Sequence, residues 1–186
     1  MNGSNPKNES KKHTLFSDIA EFFSPQDTEI ELKAAPSIHE AEVRYKLNSV
    51  GVSFQEQAKQ LYQIAEQVRR TAYAPFSGFQ VGAALLTSDG TVYRGVNVEN
   101  SSFPLTNCAE RSAIFAAISD GKRDFAAIAI CGGKGSDTAK PCYPCGACRQ
   151  VMAEFCSNDF PIIVSDGICL LGDLLPFSFS LKDASE

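Results

Sequence analysis

The sequence predicts an α/β protein built as a three-layer α/β/α sandwich around a mixed sheet. Three observations carry that expectation. Apolar patterns follow one another as helix, two strands, helix, strand, helix, strand. An Asp-Gly turn joins the first two strands and makes them antiparallel, while helices separate the later ones. The chain has 186 residues, 44% hydrophobic and 21% charged, which suits one domain with a buried core.

The first helix starts at Ser53, because Ser53-Phe54-Gln55-Glu56 has the hydroxyl-to-Glu spacing of a capping box. Phe54, Ala58, Leu61, Ile64, Ala65 and Val68 then share one face, and Gln55, Glu56, Lys59, Gln63 and Glu66 the other. Past Pro75, the runs Val81 to Leu86 and Thr91 to Gly95 flank Ser88-Asp89-Gly90 and read as a hairpin. The stretch from Asn107 to Ile118 is helical in pattern and closes at Asp120-Gly121. Phe125 to Ile130 is an apolar strand ending before Gly132-Gly133. After a loop to Pro144, a helix from Cys145 to Phe155 leads into a strand at Pro161 to Val164. There is no internal repeat and no low-complexity block.

Residues 1–50 are polar and weakly patterned, with prolines at 6, 25 and 36, and read as a poorly ordered N-terminal extension to a domain over 51–186. Within them Leu15, Phe16, Ile19, Phe22 and Phe23 recur at helical spacing before Ser24-Pro25, enough for one short amphipathic helix. His39-Glu40-Ala41-Glu42 has the wrong offsets for a metal site. The formal charge of -5 argues against a protein that binds by neutralising many phosphates, so no polynucleotide partner is expected. No apolar run approaches the roughly 18 residues of a membrane span. The first residues lack the apolar stretch of a secretory leader, so the expectation is a cytoplasmic protein without a membrane partner.

All seven cysteines, at 108, 131, 142, 145, 148, 156 and 169, lie in the second half. An odd number in a reducing compartment argues against a disulfide framework. A catalytic zinc needs three protein ligands and one open position. Cys145 and Cys148, three apart at one helix start, can turn their thiolates to the same side, with Cys108 supplying a third from the start of another helix. Both helix N-termini would favour thiolate over thiol. Glu110, two residues after Cys108, is placed to take a proton from an attacking water and return it to substrate. Without the cysteines, Glu110 would be an ordinary solvated first-turn acid. Cys-x-Glu followed by Pro-Cys-x-x-Cys is the zinc deaminase signature. Cys142-Tyr143-Pro144-Cys145 forms a second C-x-x-C frame, and by spacing alone either frame could bind zinc.

Cys-Ala-Glu-Arg at 108–111 and Pro-Cys-Gly-Ala-Cys-Arg-Gln at 144–150 resemble the small, all-cysteine, homotetrameric cytidine deaminases. The similarity runs from the Ser53 helix through Leu174-Leu175-Pro176-Phe177-Ser178-Phe179. The resemblance implies a cytidine deaminase-like fold and one Zn²⁺ per chain on Cys108, Cys145 and Cys148. It implies hydrolytic deamination of free cytidine and deoxycytidine, with release of ammonia, as in pyrimidine salvage. It favours the Cys145–Cys148 frame, because Gly146, Ala147, Arg149 and Gln150 complete the motif there. It casts Glu110 as the catalytic proton carrier. Three thiolates leave the zinc sphere at charge -1, and Arg111 offsets that by hydrogen-bonding a thiolate sulfur.

For the substrate, the resemblance implies contacts from Asn97, Glu99, Phe79, Ala109, Tyr143, Phe103 and Phe179. Asn97 and Glu99 would hold the ribose 3′ hydroxyl, on one face of a strand end with Val98 opposite. Phe79 would stack near pyrimidine and sugar, and the Tyr143 carbonyl would meet the amino group. Tyr143 departs from the family's usual Ser or Thr. Phe103 and Phe179 would reach a neighbouring subunit's site in a homotetramer. Cys131, Cys156 and Cys169 read as buried reduced thiols. Three other readings share parts of this pattern. A structural zinc site would need neither Glu110 nor Asn97-x-Glu99, a polynucleotide deaminase fits poorly with the acidic charge, and Arg111 with Asn97-x-Glu99 disfavours a nucleoside-antibiotic deaminase.

Overall fold

The computed structural model describes residues 44–46, 53–138 and 140–180, so the short amphipathic helix and His39 lie outside the described residues. The elements are β1 (Arg44–Lys46), α1 (Phe54–Arg69), β2 (Gln80–Thr87), β3 (Thr91–Val96), a 3₁₀ turn (Phe103–Leu105) and α2 (Ala109–Ser119). They continue with β4 (Phe125–Gly133), α3 (Gly146–Phe155), β5 (Pro161–Val164), β6 (Gly167–Leu170) and α4 (Leu171–Leu174). The strands form one mixed sheet in the order β1-β3-β2-β4-β5-β6. Only β4 and β5 run parallel among the described strands, joined across α3, and every other pair is antiparallel.

The period-two alternation of the central strands makes two cores. Leu85, Ile128, Ile130 and Ile162 face α2 and α3, packing on Ala113, Ile114, Ala117 and Met152. The intervening Ala84, Leu86, Ala127 and Ala129 face α1, packing on Ala58, Leu61 and Ala65. A sheet covered on both faces by helices is the predicted three-layer sandwich. Ser53 caps α1, its hydroxyl accepting from Glu56 N–H at 3.3 Å. The 87–91 turn is braced by Asp89, which accepts from Thr87 Oγ1 at 2.6 Å and pairs with Lys122 at 2.6 Å.

The structure adds elements the sequence left out. β6 lies directly beyond the turn at Ser165-Asp166, and β1 falls inside residues 1–50, pairing Tyr45 with Val92, so the sheet begins before residue 51. Phe54, counted on the apolar face of α1, is half exposed at the first position of the helix. Gly95 in β3 brings α2 close to the sheet. A Cβ there would stand 2.1 Å from the Ala109 carbonyl oxygen and 2.4 Å from Ala113 N.

Candidate metal centre

Two helix starts build the centre. Cys108 is the N-cap of α2 and Cys145 the N-cap of α3, both with extended backbone, and neither side chain is spent on capping. Cys148 lies in the first turn of α3, fully buried in the core that faces α2 and α3. The sulfurs of Cys108 and Cys145 are 3.8 Å apart, those of Cys145 and Cys148 3.5 Å, and all three lie within 4.8 Å of one another. Tetrahedral ligation with Zn–S bonds of roughly 2.3 Å puts neighbouring sulfurs about 3.8 Å apart. The donor set therefore fits a zinc ion in both chemistry and spacing.

The charges around these sulfurs are complementary. Arg111 Nη2 donates to Cys108 Sγ at 3.6 Å and to the Thr106 carbonyl at 3.1 Å. A hydrogen bond from the Cys148 thiol, helped by Arg111, brings the Cys108 thiol down to about 5. Cys148 moves the opposite way, raised by its bond to Cys108 and by burial. Metal uptake at neutral pH thus displaces a proton held in this cluster. Glu110, on the first turn of α2, is only 4% exposed, and burial, with the Cys108 thiolate adding to it, pushes its carboxyl up to about 7. A carboxyl poised near neutrality can both take and give a proton in one catalytic cycle.

Cys142, the first cysteine of the competing frame, is not among the clustered donors. It packs across Gly132 beside Phe79: a Cβ on Gly132 would meet Cys142 Sγ at 2.5 Å and Phe79 Cε1 at 2.9 Å. Burial pushes its thiol up to about 12. Cys131 is buried, and Cys156 and Cys169 are partly so, all three as free thiols raised by burial.

Asn97 and Glu99 are buried side by side while Val98 between them is 45% exposed, the alternation expected at a strand end. Both grip the strap that runs from Phe76 into the start of β2. Asn97 Oδ1 accepts from Val81 N at 2.7 Å and its Nδ2 donates to the Phe79 carbonyl at 2.9 Å. Glu99 Oε2 accepts from Phe76 N and Ser77 N, and Oε1 accepts from Ser77 Oγ at 2.5 Å. These three donors hold its carboxyl below the usual carboxylate range, the Ser77 hydroxyl above all.

Phe79 lies exposed beside Cys142, and Ala109 is fully buried with its carbonyl turned to Gly95. Tyr143 sends its hydroxyl to Asp166 at 2.9 Å, and Phe103 and Phe179 are 64% and 68% exposed. Sequence reasoning missed Ser77, Thr106 and Gly95, and named Arg149 only as part of the cysteine motif. Arg149 ties the metal loop to the chain's end, donating to the Pro144 and Leu174 carbonyls at 2.8 Å each. Arg149 stands inside the motif at 144–150 and Ser77 in the segment past Pro75, but only the tertiary fold supplies their partners.

An α/β sandwich that sets three cysteine sulfurs and a buried acid at paired helix starts defines a thiolate zinc protein built for proton-coupled chemistry. The family model "Cytidine and deoxycytidylate deaminase zinc-binding region" matches residues 55–164. The chain belongs to that family. It is 49% identical over 129 residues to a cytidine deaminase of Sporosarcina psychrophila, covering 65% of this chain and 90% of that one. It is 42% identical over 140 residues to a probable cytidine deaminase of Dictyostelium discoideum, covering 69% and 88%. A crystal structure of cytidine deaminase from Burkholderia pseudomallei superposes with a TM-score of 0.59 at 45% identity, over 65% of this chain and 98% of that one.

Proposed function

We propose that the protein deaminates free cytidine and deoxycytidine to uridine and deoxyuridine, releasing ammonia, as a step of pyrimidine salvage in the cytoplasm. The observation that carries this is the buried Glu110 carboxyl, two residues from Cys108, beside three sulfurs at zinc spacing. Cys108, Cys145 and Cys148 hold one zinc, which when bound lowers the pKa of a water so that it is nucleophilic at neutral pH. Glu110 takes the proton as the water oxygen bonds to C4 of the base. It gives that proton to the ring nitrogen N3 of the base, then carries the remaining proton of the new C4 hydroxyl to the departing amino nitrogen, so that C4=O forms, the C4–N bond breaks and ammonia leaves. Arg111 holds Cys108 as thiolate and draws off part of its charge.

Asn97 and Glu99 receive the sugar's 3′ hydroxyl. Of roughly four lone-pair sites on a carboxylate, three on Glu99 are taken by the strap, and the free one is on Oε1. Asn97 Nδ2 keeps one N–H beyond its bond to Phe79. One acceptor beside one donor suits a hydroxyl, which both gives and takes. Phe79 stacks on the nucleoside, and Ala109 and the Tyr143 carbonyl border the base. Phe103 and Phe179 complete neighbouring sites in a homotetramer, a role supported by their exposure. The catalytic domain of 51–186 also takes in β1, and the rest of residues 1–50 form its extension. Among the described residues no helix is long and apolar enough to cross a membrane.

The test is ultraviolet and ammonia-release assay of the zinc-loaded full chain with cytidine and with deoxycytidine. Turnover that a chelator abolishes and added zinc restores is the expected result. A zinc-loaded protein that converts neither nucleoside overturns the reading.

A further inference from the structure

The strap from Phe76 to Val81 is wired to both sugar hooks, and one exposed side chain sits at the junction. Ser77 Oγ donates to Glu99 Oε1 at 2.5 Å and accepts from Phe79 N at 2.9 Å. Its own N–H and that of Phe76 hold the other oxygen, Oε2, at 3.2 and 2.8 Å. Oε2 is therefore filled by backbone donors that no side-chain substitution removes. Oε1 is the oxygen left with a free lone pair, and among the described residues the Ser77 hydroxyl is the group bonded to it. The same hydroxyl fixes the backbone of Phe79, whose carbonyl is in turn held by Asn97 Nδ2 at 2.9 Å. Glu99, Ser77, Phe79 and Asn97 thus form one connected circuit.

We propose that Ser77 is a positioning residue for sugar recognition: its hydroxyl aims the free lone pair of Glu99 Oε1 and locks it to the Phe79–Asn97 side of the pocket. The inference rests on the reading that Asn97 and Glu99 bind the 3′ hydroxyl. Without the Ser77 hydroxyl, Glu99 keeps its two backbone donors but its carboxylate is free to rotate about them. The incoming hydroxyl then meets a poorly oriented acceptor, while the zinc ligands and Glu110 are untouched. The loss should fall on sugar binding and not on the chemical step.

The experiment compares wild type, Ser77→Ala and Ser77→Thr, each full-length and zinc-loaded, with cytidine and 3′-deoxycytidine. For Ser77→Ala, KM for cytidine should rise about tenfold, the scale of one hydrogen bond to a charged group, with kcat within about twofold. Its preference for cytidine over 3′-deoxycytidine should fall by about the same factor, since the analogue has no hydroxyl to misalign. Ser77→Thr should restore the preference, because residue 77 is exposed and the added methyl meets solvent. Should Ser77→Ala lose zinc or melt below the assay temperature, Ser77→Cys, similar in size but a weak donor, is read in its place against the same expectation. An unchanged preference in the substituted protein, or an equal loss on both substrates, overturns the assignment. A wild type that deaminates cytidine and 3′-deoxycytidine equally well overturns the sugar role of Glu99 and with it that of Ser77. A wild type inactive on both overturns the proposed function itself.

Discussion

Substituting Gly95 by alanine should weaken the zinc site without touching a ligand. A Cβ added at Gly95 would stand 2.1 Å from the Ala109 carbonyl oxygen, 2.4 Å from Ala113 N and 3.0 Å from Ala113 Cβ. Carbon packs against such atoms at roughly 3.5 Å, so the start of α2 must retreat from the sheet by more than about 1 Å. Helix backbone cannot rotate out of the way as a side chain can, and overpacking of this kind costs about 1–3 kcal/mol. Ala109 follows Cys108 directly, so the sulfur moves with it, whereas zinc sites hold their ligands to within about 0.2 Å. A displacement of about 1 Å is worth 10²-fold or more in a catalytic geometry.

Gly82 supplies the control on the opposite face. A Cβ there meets Ala65 O at 2.1 Å and Arg69 N at 2.6 Å in α1, a helix that carries no zinc ligand. The assay is zinc affinity by competition with a chromogenic chelator, at a temperature where melting curves show each variant folded. Gly95→Ala should lose zinc affinity about 10- to 100-fold, and Gly82→Ala should lose stability but keep zinc. Wild-type affinity in Gly95→Ala, or equal zinc loss in both variants, would refute the reasoning.

Glu110→Gln should keep zinc and fold while losing all but a small fraction of turnover, about 10² to 10⁴-fold, in steady-state assay. Cys145→Ala should lose its zinc by metal analysis and Cys142→Ala should retain it, because Cys142 packs across Gly132 and is not one of the three clustered donors. In chelator-stripped protein, iodoacetamide should label Cys108 at pH 7 in preference to Cys142 and Cys156 by mass spectrometry. The first thiol ionises at about 5 and the other two at about 12. Raising the pH from 7 to 9 should then leave the Cys108 rate nearly flat, while the other two climb about tenfold per unit.

Where the sequence is periodic, it locates the elements. The Ser53 cap, the Asp89-Gly90 hairpin, the helices after Cys108 and Cys145 and the strand from Pro161 to Val164 all follow from local pattern. β6 has four residues like β5 but opens on Gly167 and lacks the Pro161 to Val164 run of branched residues, while three-residue β1 is too short to show a period and owes its existence to pairing with β3. The ligand set is legible because the helix begins at Cys145: Cys148 then falls one turn in on the same side, whereas Cys142 lies before the helix. The burial of Asn97 and Glu99 also follows from alternation. Their partners do not, because Phe76, Ser77, Phe79 and Val81 lie some twenty residues upstream and arrive only when the strap folds over β3's end. Gly95 gives no sign in one dimension of the helix that will press on it.

Zinc-edge X-ray absorption on the purified full chain tests the central claim most directly. The account predicts three sulfur neighbours at roughly 2.3 Å and one lighter oxygen or nitrogen neighbour near 2.0 Å, unchanged by Cys142→Ala. Four sulfurs, or a sulfur count that falls in Cys142→Ala, would contradict it.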